Sequence, residues 1–172
     1  MQSMENEQTY YKIITENAWF KRIYKLGDDL YIPFGTRVVA SEPFANDDCY
    51  KNGKNGHWYI NKPVIHFCDN AFDTMLWHQI LTGTIHPKKH LIYQIKPLTP
   101  VIKERCSDNL GFYQCGANMI EFLCNIDVNE MFDLAVSDFR KNHNERIKAY
   151  PNFQMTKIIS DWLHHKWSKY IY

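Results

Sequence analysis

The run from Pro63 to Glu121 constrains this chain more than any other stretch. It opens with VIHFC, Val64 to Cys68, which alternates poorly and is apolar to both sides, as a strand buried on both faces would be. Asp69 or Asn70 can then cap a helix through a side-chain oxygen. Phe72, Met75, Leu76 and Ile80 recur at helical spacing in AFDTMLWHQIL, and Gly83 ends the run. LIYQIKPLTPVIKE, Leu91 to Glu104, starts as a strand that Pro97 stops, and Pro100 forces an extended path through Leu98 and Thr99. Gly111 and Gly116 flank the next strand start. MIEFLCNI, Met119 to Ile126, is a strand with one charged residue, Glu121, among apolar neighbours.

The flanks complete the pattern. Residues 1–9 are polar and expected to fray. The spacing after Thr9 predicts a short helix to about Asn17 and then a strand from Trp19 to Tyr24. In DLYIPFGTRVVASE, Asp29 to Glu42, Pro33 and Gly35 interrupt a β-rich run, which predicts a bent or edge strand. Asn52-Gly53 and Asn55-Gly56 mark a long surface loop. From Val128 to Tyr150 the apolar side Met131, Phe132, Leu134, Ala135, Val136 and Phe139 predicts one helix, broken by Pro151. A last helix is expected from Phe153 to Tyr172, with Trp162, Trp167 and Tyr170 inward. Strands with one inserted helix, followed by two helices, define an α+β fold. Its sheet is expected to be mixed but mostly antiparallel, with the helical part 129–172 packed on it. With 172 residues, one domain spanning 1–172 is the natural expectation.

Composition narrows the function classes. Hydrophobic residues at 45% and aromatics at 15% supply a real core and exclude a disordered chain. A formal charge of +1, from 20 basic and 19 acidic residues, argues against coating nucleic acid by bulk electrostatics, which needs a basic excess. The basic and aromatic run HHKWSKYIY reads as a solvated face. Five cysteines, with no CxxC pair, point away from a disulfide framework and towards a reducing compartment. The polar N-terminal stretch lacks a signal-peptide core, and no apolar run is long enough to span a membrane. A cytoplasmic protein is expected, or one delivered into a host cell without a standard signal.

Few residues stand out for chemistry. Glu121 points either outward from an edge strand or into a cleft, where it would stabilise positive charge forming on a sugar. Glu104 follows a rigid double-proline bend but sits between Lys103 and Arg105, as a solvated loop charge would. His66 and Cys68 alternate along one strand and face the same side. With His57, His78, His86 or His90 they form a conceivable metal set, but zinc sites show tighter pairs. The one HxxxH spacing, His86 to His90, contains Pro87 and two lysines, so no metal is expected. A Cys68–His66 nucleophile pair is a further reading, against the commoner one of a buried core thiol. No phosphate loop, GxSxG or kinase signature occurs.

VIHFCDNAFDTMLWHQI resembles the strand and tryptophan-bearing helix of the rifampin ADP-ribosyltransferase type, with Trp77 as the tryptophan. LIYQIKPLTPVIKE resembles that family's next strand, Tyr93, Pro97 and Pro100 leading to the acid Glu104. The match spans Val64 to Glu104. MIEFLC is similar to the acid-bearing strand of the broader toxin group. The resemblance implies NAD as substrate and an unknown protein or small-molecule acceptor. It casts Glu121 or Glu104 as the catalytic carboxylate, and His66 with Trp77 or Tyr93 as the nicotinamide pocket. The family's early His-Gly pair is missing; RIYKLG stands there, with Arg22 as the substitute that would hold the pyrophosphate through its planar fork. The alternative is a non-catalytic interaction module of the viral or secreted effector type, which an aromatic-rich composition and a long Asn-Gly loop would suit.

Overall fold

A computed structural model describes residues 7–15, 31–40, 65–106, 112–145 and 153–172, apart from the side chains of 81, 104–106, 112–113 and 153–155. The fold is α+β, and among the described residues seven strands form two antiparallel sheets. Strands β1 (Tyr10–Ile14), β2 (Arg37–Val39), β4 (Leu91–Pro97) and β7 (Met119–Ile126) form one sheet in the order β1-β4-β7-β2. Strands β3 (Ile65–Phe67), β5 (Ile102–Cys106) and β6 (Phe112–Ala117) form the other, in the order β3-β6-β5. Cys68, just past β3, joins the two: its N–H donates to the Tyr11 carbonyl (3.0 Å) and its carbonyl accepts from the Tyr11 N–H (2.9 Å).

The helix expected over residues 9–17 is instead a strand as far as Ile14. Tyr-Tyr-Lys-Ile-Ile is rich in aromatic and β-branched residues, and it pairs along its whole length with β4, from Tyr10 opposite Ile95 to Ile14 opposite Leu91. The strand expected at Trp19–Tyr24 and the Asn-Gly loop lie outside the described residues. The edge placement expected from Pro33 and Gly35 is found among the described strands: β2 is the outermost of them in its sheet, after a turn in which Gly35 adopts φ +80. Between Gln94 and Ile95 the β4–β7 register shifts, which leaves Leu123 as an extra residue on β7. That bulge reverses the strand's phase. Ile120 and Phe122 therefore face the core between the sheets, and Ile126 faces the helices.

Helix α1 (Ala71–Thr82) begins where the Asn70 side chain accepts from the Asp73 N–H, and it ends at Gly83, φ +80. Asp69, the other expected cap, is ion-paired to Lys103 (2.6 Å). Helix α2 (Val128–Lys141) is capped by Asp127, and Asp138 on it accepts from the Ala71 N–H at the start of α1 (2.7 Å). It stops at Asn142, short of the expected end, because the apolar side lapses after Phe139; residues 143–145 resume helical backbone. Helix α3 (Phe153–Leu163) also ends early. His165 takes φ 56, Lys166 N–H donates back to Asp161 and His165 N–H to Trp162, the crossed pair of bonds that closes a helix. A 3-10 turn over Trp167–Tyr170 follows, and Trp167 lies flat on Phe132 (5.5 Å, 5°). Trp162, 1% exposed, meets Phe72 and Phe132 edge-on and anchors the helical core, to which the four-stranded sheet contributes Ile92 and Ile126.

Candidate functional site

A pocket of about 130 Å3 opens where β1, β3 and α1 converge. The Tyr11–Cys68 pairing brings the two strands together, and the Asn70 cap directs α1 across them. Its lining includes Tyr11, Lys12, His66, Cys68, Thr74, Trp77, His78 and Gln114. Lys12 Nζ donates to the His66 carbonyl at 2.6 Å, fixing an amine at the mouth of β3. Gln114, 5% exposed, supplies a buried amide from β6. His78 is 4% exposed and its Nε2 lies 2.9 Å from Thr82 Oγ1. Burial lowers its pKa to about 4, with the charge of neighbouring His90 acting the same way.

Of the residues expected to form the site, His66 and Trp77 line this pocket together, and Cys68 joins His66 there. Tyr93 does not. It is 1% exposed between the sheets, where its hydroxyl accepts from the Ile32 N–H (2.9 Å) and its ring meets Phe122 edge-on. Glu121 sits on β7 opposite Arg37 of β2 and Lys96 of β4. Its carboxylate accepts from Arg37 Nε at 3.0 Å, and it is not among the residues lining the pocket. The outward alternative for Glu121 is thus a cross-strand ion pair. The side chain of Glu104 lies outside the described residues, but its backbone position on β5 is directly opposite Gln114. Arg22 lies outside the described residues. Lys12 was not legible as a site residue, because its strand reads as a helix in the sequence.

Among the described residues no group of three His, Cys, Asp or Glu side chains is arranged to hold a metal ion. No helix among them is long and apolar enough to cross a membrane. Cys115, which follows Gln114, is buried, and burial pushes its thiol up to about 12, with the charge of Asp69 adding to the effect. No protein-family model matches the chain, and no curated protein or solved structure is significantly similar to it.

Proposed function

We propose that this pocket receives the nicotinamide end of NAD in an ADP-ribosyltransferase-like protein. The observation that carries the reading is the meeting of His66 and Trp77 in one recess, with a strand supplying the first and a helix the second. A volume of about 130 Å3 suits one ring and its amide; whole drug-sized ligands occupy roughly 300–1,000 Å3. Trp77 brings an aromatic indole to the lining and Gln114 an amide, the two kinds of group that recognise a planar carboxamide-bearing ring. In the reaction, the bond between nicotinamide and the ribose C1 breaks, nicotinamide leaves as a neutral base, and an acceptor nucleophile bonds to C1 as it loses its proton. A carboxylate near C1 would stabilise the cationic transition state. The register favours Glu104 over Glu121 for that role, because position 104 is opposite a pocket residue and Glu121 is engaged by Arg37.

The test is binding before chemistry. Nicotinamide and NAD should each raise the melting temperature and quench tryptophan fluorescence. Trp77→Ala and His66→Ala should each weaken binding about tenfold, equivalent to about 1.4 kcal/mol. Labelled NAD should then transfer its label to lysate components in a Glu104-dependent manner. Absence of any thermal or fluorescence response to either compound, together with no label transfer, would remove this function.

A second reading has its own observation. Tyr31, Phe34 and Val39 are 51%, 75% and 47% exposed along and just before the edge strand β2. An apolar sheet edge is a template for an added strand from another chain. Co-purification of a defined partner that Phe34→Asp abolishes, and that Trp77→Ala leaves intact, would favour an interaction module.

A further inference from the structure

Three histidines behind the pocket are stacked in a chain that ties distant segments together. His78 on α1 meets His90 edge-on (centroids 4.7 Å), and His90 meets His86 in the same way (5.6 Å). His86 in turn lies against the Tyr172 ring at 4.1 Å. The backbone runs parallel to this chain of rings: Ile85 N–H donates to the Tyr170 carbonyl (2.7 Å), and Tyr172 N–H donates to the Ile85 carbonyl (2.9 Å). His78 also lines the pocket, so the cluster reaches from the candidate site to the segment 170–172.

One contact sets the protonation state. The His86 backbone N–H donates to His90 Nδ1 at 3.2 Å. A ring nitrogen accepts only through its lone pair, so His90 is held with Nδ1 unprotonated. A proton added there would set two donors against each other and put a cation beside the buried His78. We infer that His78 and His90 form a proton-operated latch, closed when both rings are neutral, that holds the turn 83–90 and the segment 170–172 against the rear of the pocket.

The other groups around the cluster set its context. Lys12 and His66 line the same pocket as His78. Thr82 Oγ1 contacts His78 from its own helix, and Lys88 and Lys89 occupy the turn with His86. On α3, Asp161 is engaged by Tyr170 (2.9 Å) and Lys169 (3.9 Å). Protonation thus adds charge to a neighbourhood already supplied with bases.

The effect on ligand binding rests on the pocket being the nicotinamide site; the latch itself does not. Amide hydrogen exchange on the full chain, corrected for intrinsic rates, separates the two at pH 7.5 and pH 5.0. Protection at Ile85 and Tyr172 should fall at least tenfold further at pH 5.0 than protection at Phe122, which follows the stability of the whole fold. In His90→Asn, the amide oxygen replaces Nδ1 as acceptor and cannot titrate, so the acid-induced loss of protection at Ile85 and Tyr172 should be several-fold smaller than in the wild type. Equal wild-type protection at both pH values, loss at Phe122 in step with Ile85, or a folded His90→Asn that opens in acid as far as the wild type would each overturn the latch. If His90→Asn does not fold, the wild-type comparison alone decides. Nicotinamide affinity measured at both pH values forms a separate arm. Failure to bind at either pH would remove the proposed function and leave the latch standing.

Discussion

Cys115 and Cys124 show how position alone divides one chemistry into two. Cys115 is 1% exposed with its thiol pushed up to about 12, whereas Cys124 is exposed on β7 with Sγ 3.5 Å from Gln94 Oε1. Thiolate is the nucleophile, so iodoacetamide at pH 8 is expected to modify Cys124 and leave Cys115 intact until the chain unfolds. Peptide mass spectrometry before and after denaturation checks this. His165 provides a second local case. A non-glycine residue at φ 56 closes α3, and left-handed backbone costs an L-residue roughly 1–2 kcal/mol. Glycine removes that cost and forfeits the edge-on contact with Trp167, itself worth roughly 0.5 kcal/mol or more. His165→Gly should therefore raise stability by up to about 1 kcal/mol in urea unfolding.

Pairing between strands decides which elements are legible in this sequence and which are not. The limits of α1 and β7 were legible because their signals are local: Asn70 and Gly83 bracket one, and an apolar run with a single charge marks the other. β1 was not, since contiguous Ile13 and Ile14 fit either period and the decision comes from β4, far along the chain. The sequence overstates α3 because Trp167 and Tyr170 keep helical spacing after the backbone has already turned at His165. The site followed the same rule. His66 and Trp77 belong to elements read correctly, Lys12 to one that was not, and the Arg37 partner of Glu121 lies on a separate strand that spacing cannot locate. The Arg37–Glu121 pair, with Arg37 65% exposed, is worth at most about 1 kcal/mol. Glu121→Gln should thus change unfolding free energy by less than about 1 kcal/mol. An NAD-dependent activity that this substitution abolishes, at unchanged stability, would return β7 to the reaction.

Acid should weaken the assembled protein through His78. Its pKa is about 4 in the fold against 6.5 as the ordinary value, so between those limits the unfolded chain binds more protons. Stability then rises with pH across that window, is complete above 6.5, and is lost progressively as pH falls towards 4. The contribution is at most about 3 kcal/mol. Urea midpoints at pH 7.5 and pH 4.5 should differ, and His78→Gln should shrink that difference relative to the parent.

Pairing Ile85 with Ile171 also fixes a schedule for biosynthesis. A ribosome that has delivered α1 and β4 must add β5 to β7, α2 and α3 before the corner between them can shut. Until then the Ile85 N–H and carbonyl, bonded to Tyr170 and Tyr172 in the fold, lack those partners on the nascent chain. Chaperone engagement there should cease only once Tyr172 has left the exit tunnel.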